Sequence, residues 1–242
     1  MNEIASVDQL WRSIRREAES AVARDPVFGA ALSSAILDHP DFTHALAHQI
    51  GERLGKSPAD RARFARVAGE AFTATPDLVE AASHDLQSIA VHDPAMTTLL
   101  PPLLNFKGYV ALQAWRVSHW LWHQHRNDLA LLLQSLSSDQ LQVSIHPSAS
   151  IGTQVFLDHA TGIIIGAFAV IGDEVTILQT SPSAENSQSR TAPRKSAGAF
   201  ISAPDQPLSA ASASAISPRS APARSSSMMC RPAAPRSGCQ HG

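Results

Sequence analysis

The sequence predicts an α + β architecture in three parts: an all-helical N-terminal domain over residues 1–140, a truncated left-handed parallel β-helix of hexapeptide repeats over 141–179, and a disordered Ser/Ala/Pro-rich tail over 180–242. Three observations carry this. Apolar residues recur at helical spacing up to about Gln140, the apolar period changes to six from Ile145, and both periods stop after Gln179. At 242 residues the chain is long enough to bury a substantial core in one or two domains.

The helical part is punctuated as helices require. Val7, Leu10, Trp11, Ile14, Ala18, Ala21 and Val22 form one apolar stripe, and Ser6 with Gln9 has the spacing of a capping box. Asp25-Pro26 ends that helix, because the residue before a proline is pushed out of the helical conformation. Ser57-Pro58 and Thr75-Pro76 each place a capping side chain before a proline at the first helical position. Phe64, Val67, Ala68, Ala71 and Phe72 make the next stripe, followed by Leu78, Val79, Ala82, Leu86 and Ile89. A longer helix is predicted from near Pro102, carrying Trp115, His119, Trp120 and Trp122, which are read as core residues.

Ile145, Ile151, Leu157, Ile163, Ala169 and Val175 are each six residues apart, with Gly152, Gly162, Gly166 and Gly172 in the gaps. A period of six fits neither an amphipathic helix nor an alternating strand. It fits a hexapeptide β-helix, in which each six-residue unit forms one side of a triangular coil and the repeated aliphatic side chain points inward. From Thr180 Ser, Ala, Pro and Arg dominate and Phe200 is the single aromatic residue. That composition buries too little apolar surface to offset the entropy of ordering.

Bulk properties exclude several function classes. A net charge of −2 argues against nucleic acid as a partner, since phosphate binding needs a basic surplus. No apolar run is long enough to cross a bilayer, so no membrane partner is expected. Met1-Asn2-Glu3-Ile4 lacks the basic start and apolar stretch of a secretory signal, which predicts a cytoplasmic protein. Both cysteines, Cys230 and Cys239, lie in the tail, so neither a disulfide framework nor a metal knuckle is expected.

Local motifs narrow the reading. Leu157-Asp158-His159-Ala160-Thr161-Gly162, His92-Asp93-Pro94-Ala95, the run from Asn105 through Arg116 to Trp122, and the opening Trp11-Arg12-Ser13-Ile14-Arg15-Arg16-Glu17-Ala18 together resemble the serine O-acetyltransferases, from about Val7 to Gln179. The resemblance implies transfer of acetyl from acetyl-CoA, a co-substrate rather than a bound cofactor, to the hydroxyl of L-serine in cysteine biosynthesis. It also implies His159 as the catalytic base, with Asp158 beside it at the amino-acid substrate, and a substrate-binding segment Asp93, Pro94 and Ala95 in which Asp93 holds the substrate ammonium. Histidine suits the role because its pKa lies near working pH. By their local sequence alone, Asp93 before Pro94 has the form of a helix N-cap and Asp158-His159 that of a solvated corner. The family pattern further implies trimers through the β-helix, a dimer of trimers through the helical domain, and cysteine synthase docking through a C-terminal tail that has no counterpart here. The alternatives are a non-catalytic oligomerisation or interaction remnant, or another hexapeptide O-acetyltransferase.

Three departures stand out. Ser144-Ile145-His146-Pro147 stands where the family has D-I-H-P, and Gly166-Ala167-Phe168-Ala169 where it has G-E-T-A. After Gln179 nothing resembles the later coils that bind CoA and carry a G-D-R-H-P loop. The tail nevertheless reads as that family in another frame: Thr180-Ser181-Pro182-Ser183-Ala184-Glu185 permits Val-Thr-Leu-Gly-Gly when each codon is shifted by two bases. Methionine has one codon, so Met228-Met229-Cys230 forces Asp-Val, and Arg231-Pro232 then permits Pro-Pro, giving the family's D-V-P-P. The sequence therefore predicts a frameshift near Gln179 and an impaired enzyme.

Overall fold

A computed structural model describes residues 5–93 and 95–179, and the backbone of 200–202. Pro94, both cysteines and nearly all of the tail lie outside the described residues. Eight α-helices come first among them: α1 Val7–Arg24, α2 Pro26–Leu32, α3 Phe42–Leu54, α4 Pro58–Ala74, α5 Asp77–His92, α6 Leu100–Asn105, α7 Lys107–His123 and α8 Asn127–Leu141, with a π-helical turn at Ser33–Leu37. None is long and apolar enough to cross a membrane.

The caps explain most of the boundaries. The Ser6–Gln9 capping box is formed in both directions. Asp25 closes α1 with its N–H and caps α2 with its side chain, ahead of Pro26. The Ser57 hydroxyl accepts from Asp60 N and starts α4. Thr75 departs from its predicted role. It closes α4, its N–H bonded to Ala71 O, and α5 starts after Pro76 with no side-chain cap. The long helix expected from Pro102 is two helices, broken at Phe106, whose φ of −82° and ψ of 101° are extended.

α8 ends on Gln142, a left-handed residue (φ 59°) that turns the chain into the β-helix. Six short strands follow: β1 Val143–Ile145, β2 Ser150–Ile151, β3 Phe156–Asp158, β4 Ile163–Ile165, β5 Val170–Ile171 and β6 Thr176–Leu178. They pair in parallel as β1–β4, β2–β5 and β3–β6, which makes the three sides of two stacked coils. A further strand, β7 Phe200–Ser202, runs antiparallel along β6.

The register corrects the predicted stack. Ile145 faces Ile165, Ile151 faces Ile171 and Leu157 faces Ile177, so one coil is 20 residues long, two more than three six-residue sides require. The predicted series joined two inward columns: Ile145, Ile151 and Leu157 belong to one, and Ile163, Ala169 and Val175 to the other, beneath Val143, Ala149 and Val155. The jump occurs at the turn carrying His159. An insertion of two preserves side-chain parity along a strand, so both columns still point inward and both stay largely buried.

The two parts share one core. A single apolar cluster runs from Leu10 and Phe42 in the helices through Leu112 and Val117 of α7 to Leu157 and Ile177 in the coils. Polar groups stitch the same seam: Trp115 Nε1 donates to His146 O at 3.1 Å, and His119 Nδ1 lies 2.7 Å from Pro147 O. The tryptophans and His119 of α7 thus pack as predicted, Trp115 buried and the others partly so.

Candidate active site

The turn after β3 is built from strained backbone. His159 and Ala160 are both left-handed, with φ of 54° and 53°, a conformation that non-glycine residues rarely adopt. Each centres a three-residue turn: Ala160 N donates to Asp158 O at 2.6 Å and Thr161 N to His159 O at 2.8 Å. Two such residues store about 1–3 kcal/mol each, which the surroundings must hold. Gly162 follows with φ 80° and anchors the turn by donating to Gln142 O at 2.8 Å.

The consequence is a histidine on a pedestal. Ala160 is fully buried, whereas the His159 side chain is 83% exposed, free to meet a substrate. His159 Nε2 stands 3.7 Å from Asp158 Oδ1. That is too long for a hydrogen bond. Ser144, where the resemblance predicts an aspartate, directs its hydroxyl elsewhere and accepts from Gln134 Nε2 of α8 at 3.1 Å.

The helical part supports this turn from beneath. Asp85 of α5 is 0% exposed; its Oδ1 accepts from Val155 N at 3.0 Å, just ahead of β3. Its Oδ2 accepts from Arg116 Nη2 at 2.7 Å, Arg116 Nε at 3.1 Å and Gln113 Nε2 at 3.0 Å. Arg116 Nη2 also donates to Gly152 O at 2.8 Å, so one guanidinium joins α5, α7 and the first coil. Burial pushes the Asp85 carboxyl up from the usual range, and the Arg116 charge opposes it. Phe106 stacks on Phe156, ring centres 6.3 Å apart, and Lys107 Nζ donates to Thr161 Oγ1. Burial likewise lowers the pKa of His119, so it serves as a neutral strut to Pro147 O rather than a charge.

The Asp93 segment is placed differently from its local sequence form. Asp93 is the C-terminal cap of α5, and its Oδ1 accepts from Ala95 N at 2.9 Å, closing a turn rather than starting a helix. Ala95 is exposed beside it, and no hydrogen bond joins this segment to Asp158 or His159 among the described residues. Nor do three His, Cys, Asp or Glu side chains converge in a metal-binding arrangement there.

A helical bundle followed by parallel coils is a fold shared with known proteins. The family model for the N-terminal region of serine acetyltransferase matches residues 10–114. The crystal structure of serine acetyltransferase from Brucella abortus strain S19 superposes with a TM-score of 0.68 at 42% identity, covering 71% of each chain. The chain belongs to the serine acetyltransferase family. Soybean serine acetyltransferase complexed with serine is similar at 38% identity and a TM-score of 0.68, covering 71% of this chain and 70% of its own. A serine acetyltransferase complexed with CoA reaches a TM-score of 0.70 at 35% identity, over 72% of this chain and 74% of its own. The curated serine acetyltransferase of Salmonella typhimurium (strain LT2) is 38% identical over 171 residues, 71% of this chain but 63% of its own length. The chain thus spans less than two thirds of the curated relatives it matches.

Sequence reading did not find the residues that support the turn. Asp85 and Lys107 carry no sign of their role, because each acts across a contact far away in sequence. The inserted pair could have been found: Ile151-Gly152 recurs as Ile171-Gly172 at a distance of twenty, not eighteen.

Proposed function

We propose that this family member's site transfers acetyl from acetyl-CoA to the hydroxyl of L-serine. The exposed His159 beside Asp158 is the observation that carries the reading. The neutral imidazole takes the hydroxyl proton as the serine oxygen bonds to the thioester carbon. The carbon–sulfur bond then breaks, and the imidazolium returns its proton to the departing thiolate. Asp158 contacts the amino acid beside the base, and Asp93 with Pro94 and Ala95 receives its ammonium end. The relatives solved with serine and with CoA support both substrates.

The departure from the family after Gln179 removes the coils that this reading assigns to CoA, and the out-of-frame tail accounts for it. The chain as written is therefore expected to transfer little acetyl. A thiol-release assay with acetyl-CoA and serine, run on this chain and on a frame-restored counterpart, tests both claims. Activity in the restored form alone supports them. Equal activity in both refutes the role of the tail, and silence in both refutes the acetyltransferase reading in favour of a non-catalytic assembly remnant.

Self-assembly of the β-helix belongs to the same reading. Ile164 and Val170 face outward on two adjoining sides and Phe168, 99% exposed, projects from the corner between them. Apolar side chains in such a row favour burial against another copy. Phe168→Glu is expected to shift a trimer toward monomer in sedimentation velocity. An unchanged distribution would place the contact elsewhere.

A further inference from the structure

We propose that Gly108, with Lys107, is a positioning residue for His159: the first turn of α7 presses so closely on the turn after β3 that a side chain at position 108 would displace it. This rests on His159 being the base of the proposed reaction. A Cβ added to Gly108 would run into the Leu157 carbonyl oxygen and sit 3.0 Å from both Leu157 Cβ and Ala160 Cβ. Those two residues flank Asp158 and His159, so the contact straddles the pair. At the second residue of α7 the missing Cβ is what lets the helix approach the turn this closely. Gly69, inside α4, is the opposite case, with nothing within 4 Å of an added Cβ.

The surrounding anchors leave one place where the turn can yield. Ahead of it Val155 N is held by Asp85, and behind it Gly162 N is held by Gln142 O. Between them, Ala160 is fully buried under α7 and Lys107 holds Thr161. The left-handed conformations of His159 and Ala160 are those that bring Ala160 under the helix while His159 faces out. A methyl at 108 presses first on the Leu157 carbonyl and then on Ala160; moving these two away lets His159 and Ala160 relax to negative φ and carries the imidazole with them.

The test uses the full chain with Gly108→Ala and, as control, Gly69→Ala. The one-bond Cα–Hα couplings of His159 and Ala160, read by NMR, distinguish positive from negative φ. Values of positive φ are expected in the parent and in Gly69→Ala, and values of negative φ in Gly108→Ala with its helical circular dichroism retained. Couplings unchanged in a folded Gly108→Ala would overturn the proposal. If that variant does not fold, Lys107→Met decides: exchange of the Ala160 and Thr161 amides is expected to quicken about tenfold relative to Gly162, a shift of about 1.4 kcal/mol in local opening. Unchanged exchange there would overturn it as well. Acetyl transfer to serine, followed on the same substitutions made in the frame-restored chain, separates the two ideas. Altered couplings with no transfer in any sample would support the positioning role while counting against the serine reading.

Discussion

His159→Ala in a frame-restored chain is expected to lower turnover of acetyl-CoA and serine by about 10²–10⁴-fold, the range for loss of a general base. Its geometry makes the substitution clean. The side chain is 83% exposed and donates no hydrogen bond among the described residues, so its removal leaves the core untouched. Alanine must still adopt the left-handed backbone at 159, as Ala160 beside it already does. Melting temperature should therefore move little while turnover collapses. The loss should fall on kcat rather than on binding of serine, because the proton moves only as the bond forms. Steady-state kinetics with circular dichroism on the same protein check this. A fall of less than about threefold would take His159 out of the reaction.

Arg116→Met is expected to do the reverse, costing about 3–5 kcal/mol of stability, the range for breaking one side of a buried ion pair. At 0% exposure Asp85 would lose both the charge that opposes its burial and two of its four donors, and the carbonyl of Gly152 would lose its partner. Against the roughly 5–15 kcal/mol that holds an ordinary domain together, that loss brings the fold close to failure. The double change Asp85→Leu with Arg116→Met removes both charges and should recover part of the loss, though not the hydrogen bonds to Val155 and Gly152. Urea unfolding of the three proteins measures this. A single-variant loss below about 1 kcal/mol would show that the pair is not what joins the helices to the coils.

Much of the fold was legible because it is written in local chemistry. Ser6 and Ser57 announce helix starts and Asp25-Pro26 a helix end within three or four residues of themselves, and the structure uses all three. Thr75 misled because α5 starts after Pro76, which takes the cap position: Thr75 lies one residue too early, and it is its backbone N–H that is used, closing α4 on Ala71 O. Phe106 was invisible as a helix break because no proline or glycine marks it, and its extended backbone is fixed by tertiary packing against Phe156. The hexapeptide period identified the β-helix and yet paired the wrong layers. A register is a relation between distant residues, and Ile163 and Ile165 look equally good as the continuation of Leu157. At the site, His159 and Asp158 were legible as a motif, whereas their support was not. Asp85 meets Val155 across 70 residues of chain, and nothing near Asp85 in sequence records it.

The two inserted residues of the first coil set a limit on how this protein could be improved. A coil without them would stack in regular sixes and would free His159 and Ala160 from a backbone that neither favours. Selection for robustness alone would favour shortening the turn, and a library screened only for heat tolerance should recover such deletions. Every one of them would retract the imidazole from the surface. In this fold the strained backbone and the side chain proposed as the base are one feature, so neither can be optimised without loss of the other.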